Sequence, residues 1–182
     1  DCTDRELMNK YGVHILPDTP LPDGYAIPVD EDQHLVMQFH YVNTGVEPIL
    51  VRDVARFELV DPAGVEHWTQ PFATNSESLV LSAEGSSSES FDCEIPGDGE
   101  LLILGGHMHE EGTFMEVLMG ADGDNLESMY LVDPWRPDYR DAPPVSLFVN
   151  NPMPVFEGDI LRTRCDWTNT LGEEVIFPAE MC

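Results

Sequence analysis

Glycine and proline interrupt this sequence at short intervals and separate its apolar runs from one another. The 182 residues include 14 glycines and 15 prolines. Because both residues break helices and favour turns, no stretch keeps a helical period for long. Many short apolar runs bounded by turn residues are typical of β-sandwiches and β-barrels. The spacing therefore predicts an all-β protein.

Alternation of apolar and other residues indicates where the strands lie. It is clearest over residues 34–42, where large apolar side chains occupy every second position from Leu35 to Tyr41, and it recurs from Ala55 to Leu59. The other predicted strands are 78–82, 89–95, 100–109, 113–119, 126–132, 145–149, 159–168 and 173–177. This number and spacing predict a jelly-roll-like antiparallel β-sandwich.

The beginning of the chain differs from the rest. Residues 4–11 fit one or two helical turns, and residues 15–28, which contain four prolines, fit an extended arm. We therefore predict an N-terminal extended arm over residues 1–30 and the β-sandwich over residues 31–182.

Two polar stretches fit loops between strands. The run Gly85-Ser86-Ser87-Ser88 predicts a short flexible loop. Asp122, Asp124 and Asn125 predict a polar hairpin turn rather than a calcium site, because the spacing of the twelve-residue EF-hand loop is absent.

The charge balance excludes some partners. With 35 acidic and 8 basic residues the formal charge is −27, so we expect no nucleic acid, whose phosphates need clustered Lys and Arg, and no preference for anionic substrates. No run reaches the roughly 18 apolar residues of a membrane span, and the first residues lack the layout of a signal peptide. An acidic surface with few lysines fits both a secreted and a salt-adapted protein.

The four cysteines indicate an oxidising compartment. Cys2, Cys93, Cys165 and Cys182 are far apart and form no CxxC pair or metal cluster. An even number of dispersed cysteines predicts two disulfides, and hence a secreted or periplasmic protein.

His107 and His109 form the most informative histidine pattern, an HxH pair after the apolar run Leu101–Leu104. Residues i and i+2 of a strand point to the same face, so this pair could hold one metal ion; the alternative is two exposed surface histidines. Cupins carry HxH on a jelly-roll strand as well. Their following Glu is replaced here by Thr113 and Phe114, and no later histidine supplies the second cupin motif.

Three further segments accompany the pair in a characteristic order: Gln38-Phe39-His40-Tyr41 before it, then Gly158-Asp159-Ile160-Leu161 with Cys165 four residues later, and Glu180-Met181-Cys182. With them the chain resembles the copper type II, ascorbate-dependent monooxygenases, the family of peptidylglycine α-hydroxylating monooxygenase and dopamine β-monooxygenase. The similarity covers residues 20–182 and concerns the family's C-terminal domain. Residues 31–62 would then correspond to the end of a preceding domain.

The resemblance implies that His107, His109 and Met181 bind one copper ion. Two imidazoles and a thioether are a soft donor set that suits Cu(I), whereas Zn(II) favours Cys, His or carboxylate. The alternative for Met181 is a role as core filler.

The family pattern also implies two disulfides. The first joins Cys165 to Cys182 and attaches Met181 to the predicted strand 159–168. The second then joins Cys2 to Cys93 and ties the N-terminal arm to the body of the protein.

The sequence departs from the family in two places. His40 matches one ligand of the family's electron-transfer copper and is a candidate second metal ligand, but no pair of adjacent histidines is present. For His14, His34 and His67 we expect packing or hydrogen-bonding roles, and such a role is the alternative for His40 as well. Gly105 stands where the peptide-amidating members have a substrate-binding Arg, so a glycine-extended peptide is not expected as substrate.

The function expected from the sequence is that of a copper-binding, monooxygenase-like domain. It would hydroxylate an unidentified small molecule or peptide with O2 and an electron donor of the ascorbate type. The alternatives are a secreted copper-binding or adhesion module without turnover, and a structural β-sandwich whose histidines are incidental.

Overall fold

The computed structural model describes residues 21–31, 34, 41, 43–54, 56–76 and 78–182, together with the backbone of Cys2 and Thr3. The chain divides into two compact units, the larger comprising residues 1–18 and 71–182 and the smaller residues 19–70. The strands are β1 (Cys2–Thr3), β2 (Tyr25–Ala26), β3 (His67–Trp68), β4 (Ala73–Thr74), β5 (Val80–Leu81), β6 (Gly85–Glu94), β7 (Gly99–Leu101), β8 (Ile103–Gly105), β9 (Gly112–Gly120), β10 (Glu127–Val132), β11 (Val145–Leu147), β12 (Met153–Val155), β13 (Ile160–Asn169) and β14 (Val175–Ile176).

The predicted all-β class is confirmed. Within the described ranges the helical structure consists of two short 3₁₀ turns, Pro62–Gly64 and Pro137–Arg140. No helix in those ranges has the length and apolar character that a membrane crossing needs. The jelly-roll connectivity stays a prediction.

A four-stranded antiparallel sheet in the order β10-β9-β13-β6 dominates the larger unit. Strand β13 lies in its interior and pairs with β9 on one side and β6 on the other. Every second residue of β13 is buried, including Leu161, Cys165 and Trp167. This two-residue period is the geometric consequence of an extended strand with one face on the core.

The larger unit also contains four shorter antiparallel pairs, β1–β4, β5–β14, β7–β12 and β8–β11. Leu81 of β5 and Val175 of β14 belong to the same core cluster as Val117 of β9 and Trp167 of β13. Complete burial of one such aliphatic side chain contributes about 1.5–3 kcal/mol. The core of the larger unit therefore joins the main sheet to the β5–β14 pair.

The smaller unit contains one strand pair among its described residues. Strands β2 and β3 run parallel, with Tyr25 opposite His67. The two rings stack with their centroids 4.5 Å apart. His67 is thus engaged with an aromatic neighbour.

Two local predictions were wrong for reasons of tertiary pairing. The Gly85–Ser88 segment is not a flexible loop but the start of β6, because it pairs along its length with β13. Ser88 there donates a hydrogen bond of 2.6 Å to Asp166. In the predicted strand from Ala55 to Leu59, the described residues 56–59 form no strand, and Phe57 and Leu59 are exposed.

Several predictions fall outside the described residues. These are the helical turns at 4–11, the first part of the arm at 15–20, and the strand 34–42 except for His34 and Tyr41. In contrast, the predicted polar turn at Asp122 is present between β9 and β10. The carboxylate of Asp122 accepts hydrogen bonds from the N–H groups of Asp124 and Asn125, both at 3.0 Å. Strand β12 had no counterpart in the sequence prediction.

Candidate metal centre

The two histidines of the HxH pair lie beyond the strand on which the sequence placed them. Strand β8 ends at Gly105, and residues 106–109 form an irregular connection to β9. Met108 between them is fully buried, while both histidines are partly exposed. Met108 is thus packed into the core between the two histidines, whose ring centroids are 5.1 Å apart with the ring planes nearly perpendicular.

Gly106 allows this connection to lie directly on the core. A Cβ atom at this position would overlap Sδ and Cε of Met115 and lie 3.1 Å from Cε1 of Tyr130. Only a residue without a side chain fits there unless Met115 moves. The glycine before the histidines is thus explained by a close approach of the backbone to the core.

The ring of His109 has a defined orientation. Its Nδ1 lies 2.7 Å from the carbonyl oxygen of Ala179. A carbonyl can only accept, so Nδ1 carries the proton and the lone pair is on Nε2. Histidines that bind metals usually have their second nitrogen engaged in this way. On the backbone of His109, the carbonyl accepts a hydrogen bond of 3.2 Å from Nε1 of Trp135.

Glu180 joins the connection between β8 and β9, residues 106–111, to the C-terminal segment; this connection is called the histidine loop below. Its side chain is 1% exposed. One carboxylate oxygen accepts hydrogen bonds from the backbone N–H of His109 at 2.5 Å and of Met181 at 3.1 Å. The other oxygen accepts from the N–H of Glu111 at 3.0 Å.

The disulfide between Cys165 and Cys182 is present. It anchors the residue directly after Met181, whereas Glu180 directly precedes Met181. Both cysteines are buried, and the carbonyl of Cys182 accepts a hydrogen bond of 3.2 Å from the N–H of Ser76. Met181 itself is partly exposed and is not a member of the buried core cluster. A role as core filler is therefore not supported for Met181.

The second disulfide is only partly described. Cys93 is disulfide-bonded. The side chain of Cys2 lies outside the described residues, so the bond between Cys2 and Cys93 stays a prediction.

An ion pair forms between Arg140 and Glu110, which lies next to His109 in the sequence of the loop. Glu110 accepts a short hydrogen bond from Arg140. Burial alone would raise the pKa of Glu110, but this hydrogen bond and the charge of Arg140 lower it overall. The same hydrogen bond is the main reason why the pKa of Arg140 is raised. Both groups are therefore held in their charged forms beside His109.

In the described part of the larger unit, His107 and His109 are the only histidines. His14 and His40 lie outside the described residues, so the role of His40 as a second ligand stays a prediction. His34 is exposed, and His67 belongs to the smaller unit. Within the described ranges no three His, Cys, Asp or Glu side chains are placed to hold a metal ion. A donor set of two histidines and one methionine contains only two such side chains.

Sequence reasoning missed Glu180 and Trp135 as parts of the centre. Glu180 stands directly before Met181, and an acidic residue next to a candidate ligand was the available signal. Nothing in the sequence around Trp135 points to the loop, since its partner is a backbone carbonyl 26 residues away.

Comparison with known proteins adds no relative: no protein-family model matches this chain, and no curated protein matches its sequence.

Proposed function

We propose that this chain is a copper-binding, monooxygenase-like domain in which His107, His109 and Met181 hold one copper ion. The observation that carries the proposal is the hydrogen bond from Nδ1 of His109 to the carbonyl oxygen of Ala179. It leaves the lone pair of Nε2 available to bind a metal ion. It also brings one histidine next to the segment that contains Met181. The motif order His107-Met108-His109, GDIL-x-x-x-C and Glu180-Met181-Cys182 supports the same ligand set.

The donor types favour copper over zinc. Two neutral imidazoles and a thioether match the softness of Cu(I), and a carboxylate or thiolate ligand is not required. When bound, reduced copper supplies electrons to O2 for hydroxylation of a C–H bond. One oxygen atom enters the substrate and the other leaves as water. This reaction consumes two electrons and two protons, which a donor of the ascorbate class supplies.

The role of the protein's own groups is to hold the three ligands. Trp135 and Glu180 bind the backbone at His109, and the Cys165–Cys182 disulfide anchors the residue after Met181. We propose a secreted or periplasmic location, with which this disulfide is compatible. The substrate would be a small molecule or a peptide without strong negative charge, because the chain carries a formal charge of −27.

Titration with Cu(I) against a chromophoric chelator tests the ligand set. We expect the wild type to bind one equivalent, and Met181→Ala and His109→Ala to bind it at least about tenfold more weakly, a loss of ~1.4 kcal/mol. Met129→Ala is the matched control, since Met129 is partly buried like Met181 but lies in β10. Equal stoichiometry and affinity in the wild type and Met181→Ala would show that the site is wrong.

A copper-binding module without turnover is the second candidate. It is favoured by the absence of adjacent histidines from the 182 residues, because the two-copper enzymes use such a pair for electron transfer. Oxygen consumption in the presence of copper and ascorbate separates the two. An enzyme consumes O2 faster than free copper when a hydroxylatable substrate is added, whereas a binding module does not.

A further inference from the structure

We infer that Glu180 is a positioning residue that sets the distance between the imidazole pair and Met181. The copper part of this inference rests on the function proposed above. The part that concerns the histidine loop does not need a metal and is tested separately below.

The geometry places both ligand-bearing segments on one carboxylate. The N–H groups of His109 and Met181 donate to the same oxygen, although the two residues belong to segments about 70 positions apart. The N–H of Glu111 donates to the second oxygen and so prevents rotation of the loop around the first. Movement of the carboxylate would therefore change the relative position of the histidine and the methionine.

A glutamate is the side chain that fits this task. Burying a carboxylate is unfavourable unless hydrogen bonds replace its water, and here three N–H groups do so. A glutamine would direct its NH2 group at one of these N–H groups, which places a donor against a donor. Since buried ionic groups rarely increase stability over an apolar replacement, this arrangement is better explained by a need for defined geometry.

Other contacts would keep the end of the loop attached to β13 without Glu180. The carbonyl of Glu111 accepts a hydrogen bond of 2.9 Å from the N–H of Thr168, and its carboxylate accepts one of 2.8 Å from the N–H of Thr170. Both threonines lie at the end of β13 or just beyond it. We therefore expect replacement of Glu180 to shift the loop relative to Met181 without unfolding the domain.

The first experiment uses the metal-free protein. Amide hydrogen exchange is compared in the wild type, Glu180→Ala, Glu180→Gln and the control Leu161→Ala. Leu161 is a buried residue of β13 and lies roughly 20 Å along the strand from Thr168, whose N–H donates to Glu111. Exchange at His109 and Glu111, relative to the amides of β13, should rise about tenfold or more in Glu180→Ala and less in Glu180→Gln. In the control, loss of a buried side chain raises exchange in β13 itself, so this ratio should not rise.

The second experiment uses the protein loaded with Cu(I) and X-ray absorption at the copper edge. The wild type and Leu161→Ala should show two nitrogen neighbours and one sulfur neighbour. Glu180→Ala should keep the nitrogen neighbours, lose the sulfur neighbour and bind Cu(I) about tenfold more weakly.

Two results would overturn the inference. One is unchanged relative exchange at His109 and Glu111 in Glu180→Ala. The other is a sulfur neighbour that persists in this variant although exchange at the loop has increased. If the wild type itself shows no sulfur neighbour, the proposed copper site is wrong, and the exchange experiment alone decides whether Glu180 holds the loop.

Discussion

The imidazole of His109 lies 2.7 Å from the backbone carbonyl of Ala179, two residues before Met181 and 70 positions away in the chain. The contact joins the connection between β8 and β9 to the segment that carries the Cys165–Cys182 disulfide. The candidate metal centre is therefore assembled from two segments whose relative position depends on the disulfide and on buried hydrogen bonds.

Removal of this disulfide should weaken both the fold and copper binding. The bond joins residues 17 positions apart. Cross-linking a loop of this length stabilises a protein by about 3 kcal/mol, so Cys165→Ala/Cys182→Ala should lower the free energy of unfolding by about that amount in urea titrations. Its affinity for Cu(I) should also fall, because the residue after Met181 loses its covalent anchor.

Met181→Ala with the disulfide intact is the control for that experiment. It should lose affinity for Cu(I) but change the free energy of unfolding by less than about 0.5 kcal/mol, since Met181 is partly exposed. Wild-type copper affinity in the double cysteine variant would show that the position of Met181 does not depend on the bond.

Gly106→Ala should destabilise the protein by about 1–3 kcal/mol, because the new methyl group overlaps the end of the buried Met115 side chain. Thermal and urea unfolding measure the loss. Gly97→Ala is the matched control, since a Cβ there meets no atom within 4 Å.

Combining Gly106→Ala with Met115→Ala should cost less than the sum of the two single changes, because the smaller side chain makes room for the methyl group. Strict additivity would contradict the proposed overlap.

Asp92→Asn should destabilise the protein in a pH-dependent way. Nε and Nη2 of Arg162 each donate a hydrogen bond of 2.6 Å to Asp92, and these bonds are the main reason why the pKa of Asp92 lies below its ordinary value of 3.8. A carboxylate whose pKa is lowered by folding contributes stability above its unfolded pKa and loses it as the pH falls through the folded pKa.

The difference in urea midpoint between the wild type and Asp92→Asn should therefore be full at neutral pH and shrink as the pH falls below 3.8. Added salt should reduce it as well, because the pair is partly exposed. Arg162→Gln should give the same pH profile. A difference that is equally large at neutral pH and at about pH 2.5 would exclude the ion pair as its cause.

Much of the main sheet was predictable because strand periodicity is a local property. The predicted ranges 113–119, 126–132 and 159–168 match β9, β10 and β13 to within one residue at each end. The serines at the start of β6 have no apolar alternation, and only pairing with β13 makes them a strand. Conversely, residues 56–59 continue the alternation that begins at Ala55 without being in a strand.

The sequence indicated which residue types to consider for the candidate site, but it did not indicate the contacts that hold them. The expectation that His107 and His109 share a direction came from strand geometry, whereas both residues follow the end of β8 and flank the buried Met108. The contacts of Glu180 with His109 and Glu111 could not be anticipated, because an acidic residue in a sequence gives no indication of the backbone N–H groups that it will meet.

By itself the sequence determined the all-β class, most strand positions in the larger unit and the order of the candidate ligands, because side-chain alternation and turn residues act between neighbours in the chain. Only the tertiary structure decided that the loop after β8 meets the C-terminal segment and that a buried carboxylate joins them. Such contacts between segments about 70 residues apart depend on how the sheets pack, and no local pattern encodes them.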